Sequence, residues 1–241
     1  MHIIKLSATS STNDYLKQLN AKQIVSNFTV VTTIRQENGK GQMGTFWESE
    51  DGKNLTFSIL LKDLIVDVSQ LYTLNILVTI AILNALEKYK IPKLTVKWPN
   101  DIMSGKYKLG GILIENNFKS DGEVVSIVGI GINVNQILFQ NAPQATSLKK
   151  CTGIDFQLNH LLVEICVSIQ QKLAILQKES SKIWENYHQH LYRKGLPTAF
   201  ERTNGNRFMG IIQKVSTDGL LHVLMEDDSI EQFDVKEIKM L

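Results

Sequence analysis

The sequence has few of the features that mark secreted or membrane proteins. Only two of its 241 residues are cysteines, Cys151 and Cys166, and they form no CxxC pattern, so neither a disulfide framework nor a cysteine-rich zinc site is expected. Residues 1–14 hold no apolar stretch of signal-peptide length. The densest apolar run, Ile76 to Leu83, is too short to span a bilayer. A reducing cytoplasm is therefore the expected compartment.

The sequence also lacks an excess of charge of one sign. Its 26 basic and 24 acidic residues leave a net charge of +2, which argues against bulk electrostatic binding to DNA or to acidic membranes. We expect neither as a partner. Hydrophobic residues make up 43% of the chain and charged residues 21%, which is ordinary for a globular protein and excludes a disordered tail.

The order of apolar patterns predicts an α+β fold. Ser10 or Ser11 can cap a helix because Asp14 lies three residues after Ser11. Strands and helices do not alternate regularly, which argues against a doubly wound sheet. The predicted strands are 3–6, 28–34, 54–61 and 94–96, and 28–34 is expected to be buried because it is β-branched and apolar. Residues 107–115 and 123–134 are predicted to form a hairpin around a turn at 116–122. One helix is predicted to begin after Ser11, and two more are predicted over 71–89 and 158–176.

The composition changes near Arg193. Four short strand candidates follow, with Gly205, Gly219 and Asp227–Asp228 marking the turns between them. About 45 residues of this kind suit a small five-stranded barrel that packs against its neighbour, because it is too small for a large core of its own. We therefore predict a mixed-sheet domain over 1–192 and a small barrel over 193–241, the four strand candidates being 198–202, 207–215, 220–225 and 230–234.

A glycine-rich loop, Gly39–Gly44, fits the G-x-G-x-x-G pattern. The dinucleotide-binding fold needs a helix to open at the third glycine, and the sequence after Gly44 predicts none, so that fold is rejected. Two interpretations remain. The loop is either a flexible hairpin with turn glycines, or a loop whose backbone N–H groups wrap an anion while Lys40 supplies charge. In the second case it would order on its ligand.

Two further segments combine strand ends with polar or glycine residues. Lys97–Asp101 (KWPND) ends a strand in a proline turn, and Lys108 precedes the glycine pair Gly110–Gly111. On composition alone, ordinary turn chemistry and solvated lysines are the favoured explanation of these residues. Against that, ligand groups collect at strand ends, and glycines inside a strand cost stability unless another group comes close. Gly129–Asn133 repeats the pattern, although for this segment on its own a buried strand is the favoured explanation.

Taken together, these segments resemble the biotin protein ligase family. The resemblance adds Ser11–Asn13 (STN), Gln36 and Ala145–Leu148 (ATSL), all in the family's order, and it covers nearly the whole chain. The tail through Phe233–Ile238 looks like the family's SH3-like C-terminal domain. The resemblance implies that biotin and MgATP form biotinyl-5′-AMP, and that the biotinyl group passes to one lysine of a biotin carboxyl carrier domain, such as that of acetyl-CoA carboxylase.

The resemblance also implies roles for individual residues. Two lysines, Lys108 and Lys40, are expected to act at the reacting carboxylate and phosphate. ATP, Mg²⁺ and biotin are expected as substrates or activator, and no residue is assigned to the metal. The expected biotin-binding residues are Ser11, Thr12, Asn13, Gln36, Lys40, Gly41, Gln42, Lys108 and Gly111. The expected nucleotide-binding residues are Gly39, Lys40, Gly44, Trp47, Asn100 and Asn133.

Two departures from the family pattern stand out. Lys40, Gln42 and Thr45 occupy loop positions where the family often carries arginines, so the bidentate guanidinium fork is lost. Only ten residues precede Ser11, too few for the helix-turn-helix domain of repressor-type members, which again predicts no DNA partner. Three alternatives remain: a lipoate- or octanoyl-transfer enzyme of the same fold, a non-catalytic biotin sensor, and a generic α+β binding domain.

Overall fold

The computed structural model describes residues 1–62, 71–119 and 124–241. Its first part contains seven strands and four helices. The strands are β1 (His2–Thr9), β2 (Thr29–Gln36), β3 (Leu55–Lys62), β4 (Leu94–Lys97), β5 (Asp101–Ser104), β6 (Tyr107–Phe118) and β7 (Val124–Ile132). The helices are α1 (Thr12–Lys22), α2 (Leu71–Glu87), α3 (Leu148–Thr152) and α4 (Leu158–His190). Five strands follow: β8 (Pro197–Arg202), β9 (Arg207–Val215), β10 (Leu221–Leu224), β11 (Ile230–Phe233) and β12 (Ile238–Met240).

The first seven strands form one mixed sheet in the order β1-β2-β3-β7-β6-β5-β4. Only β1 and β2 are parallel; the other described pairs are antiparallel. One face packs against α2, which is buried on most sides, and α2 in turn packs against α4. The all-round apolar character of α2 therefore reflects burial between the sheet and a second helix.

Helix α1 covers part of the opposite face. Its Leu16 is fully buried against Val31, Leu60 and Ile127. Along this face the paired residues of β3 and β7 change in character: Leu60 pairs with Ile127 beneath α1, and farther along Ser58–Gly129 and Thr56–Gly131 follow. Because side chains alternate across a strand, these residues share one face. The sheet is thus apolar beneath the helix, and beyond it each of these two pairs includes a glycine.

The last five strands form an antiparallel sheet in the order β11-β10-β9-β8-β12. Its buried residues, including Phe200 and Leu221, join the main hydrophobic cluster of the first part. The Trp98 indole N–H donates to the Gly219 carbonyl oxygen at 2.9 Å, which joins the two parts of the chain. The small sheet therefore packs against its neighbour, as its size predicts.

Most predicted elements are confirmed within a few residues. Ser11 caps α1 by accepting a hydrogen bond from the Asp14 N–H. Three expectations were wrong in detail. Strand β5 was not predicted: the chain turns at Pro99 and returns as a strand that pairs with β4, and the turn residues alone do not indicate that strand. Helix α4 continues past residue 176 to His190. The segment 28–34 was expected to be buried, but Ile34 is 60% exposed, because the core does not cover this end of β2. Of the predicted turn 116–122, residues 116–118 belong to β6, and 120–122 lie outside the described residues.

Candidate active site

A cavity of about 670 Å³ lies between the small sheet and the part of the large sheet that contains Gly129 and Gly131. Ten of the predicted site residues line it: Ser11, Asn13, Gln36, Lys40, Gly41, Gln42, Trp47, Asn100, Lys108 and Gly111. The C-terminal part of the chain also lines the cavity, through residues that include Glu201, Lys236 and Lys239. The other four predicted site residues do not belong to the lining: Thr12, Gly39, Gly44 and Asn133.

The first turn of α1 forms the polar end of the cavity. Ser11, Thr12 and Asn13 are all buried there. The Thr12 backbone N–H donates to Gln36 Oε1 at 3.0 Å, which joins two segments that are 24 residues apart in the sequence. A helix N-terminus leaves backbone N–H groups free of helical partners, and Gln36 satisfies one of them. The structure thus brings together four of the residues that the resemblance assigns to biotin binding.

Buried hydrogen bonds fix this turn from below. Ser58 of β3 is fully buried, and its Oγ lies 2.7 Å from Thr12 Oγ1 and 2.6 Å from Asn13 Oδ1. The Asn13 amide nitrogen donates to Glu115 Oε2 at 2.7 Å. The other oxygen of Glu115 pairs with Lys17. Ser58 and Glu115 were missed at the sequence level, because no motif includes them; the one signal was a lone serine inside the apolar strand LTFSILLK.

Two glycines of β7 allow side chains to lie against the sheet. A Cβ at Gly129 would be 2.5 Å from Asn13 Oδ1, and a Cβ at Gly131 would be 2.5 Å from Trp47 Cε2. Real Cβ atoms do not approach so closely, so any larger residue would displace Asn13 or Trp47. The cost of glycine in a strand is thus offset by the close approach of Asn13 and Trp47, the kind of contact expected from sequence.

The glycine-rich loop folds into a tight hairpin. The Trp47 N–H donates to Gly39 O at 2.9 Å, and the Gly41 N–H donates to Thr45 O at 2.7 Å. Met43 and Gly44 take left-handed backbone angles at the tip, with φ of 55° and 76°. The Gly41 N–H is therefore engaged within the hairpin itself. Of the two sequence-level interpretations, the hairpin describes this conformation.

Lys40 connects the hairpin to α1. Its Nζ lies 2.6 Å from Asp14 Oδ2, and the hydrogen bond to this carboxylate is the main cause that raises the pKa of Lys40. Both side chains are partly exposed, at 50% and 27%. Exposed pairs contribute little to stability. Lys40 is therefore a charged, half-exposed residue of the cavity lining.

The cationic end of the cavity is built around Lys108. Its Nζ lies 2.6 Å from Asp101 Oδ1 and 5.6 Å from the centre of the Trp47 ring. Burial is the main cause that lowers the pKa of Lys97; nearby Lys108 and Lys239 lower it further, while Asp101 opposes the shift. Lys97 therefore feels two further lysines and one carboxylate, and this local surplus of positive charge favours an anionic ligand. Asp101 and Lys239 were not predicted as site residues.

The backbone that carries Lys108 is tied to the 145–148 segment. The Lys108 N–H donates to Gln144 O at 2.7 Å, and the Thr146 N–H donates to Lys108 O at 2.8 Å. Asn100 donates through its amide to Ile112 O at 2.6 Å, so it braces the β4–β5 turn against β6. Asn133 is buried beyond the end of β7, where its carbonyl oxygen accepts from the Leu148 N–H at 3.0 Å.

Comparison with known proteins places this site in a family. The sequence model of the biotin/lipoate A/B protein ligase family matches residues 6–135, more than half of the chain. The chain belongs to this family. The match includes the α1 turn, the glycine hairpin, Lys108 and both glycines of β7, and thus most of the cavity wall supplied by the large sheet.

Individual relatives of this ligase family extend the likeness to the full chain. The Bifunctional ligase/repressor BirA of Bacillus subtilis (strain 168) is 26% identical over 244 residues, which cover 98% of this chain and 72% of its own length. The Biotin--[acetyl-CoA-carboxylase] ligase of Mycobacterium tuberculosis is 22% identical over 90% of this chain and 80% of its own length. The structure of the Aquifex aeolicus biotin protein ligase in complex with biotin and ATP superposes with a TM-score of 0.81 at 26% identity, covering 100% and 98% of the two chains.

The described residues give two further findings on possible partners. Among them, no helix is both long and apolar enough to cross a membrane. No group of three or more His, Cys, Asp or Glu residues within the described ranges is placed to hold a metal ion.

Proposed function

We infer that this chain is a biotin protein ligase: it activates biotin with ATP to biotinyl-5′-AMP and transfers the biotinyl group to a lysine of a carrier protein. The observation that carries this conclusion is that one cavity combines a polar end, at Ser11, Asn13 and Gln36, with a cationic end at Lys108. Biotin has a polar ring system at one end and a carboxylate at the other. A mostly apolar pocket with a few fixed polar groups suits such a molecule.

The biotin ring system is assigned to the α1 end of the cavity. Ser11, Asn13 and Gln36 line it and supply hydroxyl and amide groups for the ureido ring. Thr12 supports Gln36 from behind. Gly111 and Gly41 form part of the walls along the acyl chain, and Lys40 and Gln42 lie at the rim, near the biotin carboxylate.

The nucleotide is assigned to the opposite end. Trp47 presents its ring beside Lys108, and Asn100 lines the same side. Gly39, Gly44 and Asn133, which lie outside the lining, support this end through the backbone: Gly39 closes the hairpin, Gly44 turns its tip, and Asn133 anchors the strand end next to Leu109.

The first chemical step brings two anions together. A biotin carboxylate oxygen attacks the α-phosphorus of ATP, the new O–P bond forms a mixed anhydride, and pyrophosphate leaves. Lys108 and Lys40 offset the repulsion and stabilise the charge on the reacting phosphate. Lys97 and Lys239 are placed to attract the leaving pyrophosphate. In the second step the carrier's lysine nitrogen attacks the acyl carbon, an amide bond forms and AMP leaves.

Magnesium is proposed to enter with ATP. Mg²⁺ typically binds substrate phosphates together with one or two carboxylates. Asp101 is a carboxylate of the cavity wall and lies beside Lys108, so it can serve both the lysine and the metal. When bound, the metal supplies charge neutralisation at the leaving pyrophosphate.

The acceptor is proposed to be a biotin carboxyl carrier domain, such as that of acetyl-CoA carboxylase. We assign residues 1–192 to the catalytic domain and 193–241 to an SH3-like domain, because the large sheet and the four helices fall in the first range and the five-stranded antiparallel sheet in the second. The free thiols of Cys151 and Cys166 favour a reducing compartment, and we assign the protein to the cytoplasm.

The decisive experiment is pyrophosphate release from ATP. Release is expected on addition of biotin, and labelled biotin is then expected on the lysine of a folded carrier domain. Lipoate tested in place of biotin separates the two substrates named in the family description. Biotin binding without pyrophosphate release would instead indicate a non-catalytic biotin sensor.

A further inference from the structure

One polar residue interrupts the apolar strand that passes beneath the first turn of α1. Strand β3 reads LTFSILLK, and Ser58 within it is 0% exposed. It is not among the described residues that line the cavity. A buried hydroxyl loses its hydrogen bonds to water, so its presence in a core strand is favourable only where it finds partners.

The partners of Ser58 set the orientation of two side chains of the α1 turn. Because the Asn13 amide oxygen only accepts, the single Ser58 proton goes to Asn13 Oδ1, 2.6 Å away. The Thr12 hydroxyl, 2.7 Å from Ser58 Oγ, then supplies the proton of the second bond. With that proton directed to Ser58, the bond from Thr12 to Gln36 Oε1 is the one from its backbone N–H at 3.0 Å, and not the longer contact of its hydroxyl at 3.3 Å. With its oxygen held by Ser58, Asn13 must direct its nitrogen to Glu115.

We propose that Ser58 is a positioning residue for biotin: from inside the sheet it sets the geometry of Thr12 and Asn13, and through Thr12 that of Gln36. This inference rests on the proposed function, since it assigns biotin to the cavity next to α1. The neighbouring strand also contributes to this geometry. Gly129 of β7 pairs with Ser58 in the sheet register, and its lack of a side chain leaves the space that Asn13 fills.

A merely structural role predicts a different pattern of effects, and the chain provides a matched control. Ser126 of the adjacent strand β7 is 2% exposed, and its hydroxyl donates to Asn116 Oδ1 at 2.7 Å. It projects from the opposite face of the sheet, since Gly129 and Gly131 are on the cavity side. Loss of either serine removes one buried hydroxyl, but only Ser58 contacts the α1 turn.

The test compares Ser58→Ala with Ser126→Ala in the full chain. The Kd of biotin is measured by calorimetry, and kcat and the KM for ATP by pyrophosphate release at saturating biotin. Leaving a buried partner unsatisfied weakens binding in Ser58→Ala by roughly tenfold, with kcat and the KM for ATP within about twofold. Ser126→Ala is expected to lower the melting temperature without changing the Kd of biotin. Ser58→Cys, which keeps the size and a weak donor, is expected to fall between Ser58→Ala and the unmodified chain.

A second route keeps the proposal testable if Ser58→Ala does not fold. Thr12→Val removes the same bond from the α1 side and is expected to weaken biotin binding several-fold. In the double variant the two effects are expected to be less than additive, because both remove one shared bond. Unchanged biotin affinity in Ser58→Ala, or an equal loss in Ser126→Ala, would overturn the proposal. If the unmodified chain itself fails to bind biotin, the proposed function fails instead, so the two failures are distinguishable.

Discussion

Substitution of Gly131 by alanine tests the shape of the nucleotide end of the cavity. The added Cβ would lie 2.5 Å from Cε2, 2.7 Å from Cζ2 and 2.9 Å from Nε1 of the Trp47 indole ring. Ordinary carbon–carbon contacts begin near 3.5 Å, so the ring must move by about 1 Å. The Trp47 backbone is held by its hydrogen bond to Gly39 O, so the side chain rotates away from the sheet and from Lys108.

The expected size of the effect follows from this displacement. Overpacking typically costs about 1–3 kcal/mol, and a ring that borders an open cavity relaxes toward the lower part of that range. We expect the displaced ring to lose a similar amount, about 1–2 kcal/mol, from ATP binding, which corresponds to roughly a 5- to 30-fold rise in the KM for ATP. The biotin end should be nearly unaffected, because Gly131 touches Trp47 and not the α1 turn.

The assay is biotin-dependent pyrophosphate release, with the KM for ATP and for biotin measured separately. Gly129→Ala is the matched variant: its Cβ would lie 2.5 Å from Asn13 Oδ1, so it is expected to raise the KM for biotin and leave that for ATP nearly unchanged. Equal effects of both substitutions on both substrates would refute the assignment of the two ends. A Gly131→Ala variant with an unchanged KM for ATP would show that Trp47 plays no part in nucleotide binding.

Four further predictions follow from the charges at the site and on the whole chain. Lys108→Ala is expected to lower the rate of pyrophosphate release by roughly 10²–10³ while the thermal transition persists; a rate near that of the unmodified chain contradicts its role. Lys239→Gln is expected to raise the KM for ATP several-fold with little change for biotin, measured against Lys214→Gln, a control outside the cavity lining. Gln42→Arg is expected to slow dissociation of preformed biotinyl-5′-AMP by about tenfold, because a charge-assisted bond replaces a neutral one; an unchanged dissociation rate shows that the backbone holds the adenylate. With a net charge of +2, the chain is expected to show no sequence-specific DNA binding at about micromolar concentration, as checked by fluorescence polarisation.

Local sequence patterns were sufficient to predict most elements of the fold. Helix α1 follows from the serine cap and helical spacing, and α2 from a long apolar segment, because these signals act within a few residues. Strand β5 escaped prediction since Pro99 and its neighbours have ordinary turn chemistry, and only pairing with β4 and β6 makes the residues after them a strand. The exposure of Ile34 likewise depends on where distant elements cease to cover β2.

The sequence by itself determined the motif residues that come together at the cavity. Ser11, Gln36 and Lys108 each belong to a short block, and the order of the blocks identified the family. These short blocks identify residues, but they do not specify the distances between their side chains. They did not show that Lys40 pairs with Asp14, or that the Gly41 N–H bonds within its own hairpin.

Only the tertiary structure decided which unmarked residues support the motif residues. Ser58, Glu115 and Lys239 stand in no recognisable pattern, and Asp101 belongs to the KWPND block but was assigned no role. In the structure Ser58 and Glu115 hold Asn13, Asp101 pairs with Lys108, and Lys239 lines the cavity from the small sheet. The physical reason is separation along the chain: Ser58 lies 45 residues from Asn13 and Glu115 lies 102. Hydrogen bonds and ion pairs over such separations depend on strand register and on the packing of the two sheets, and neither is encoded in any local stretch of sequence.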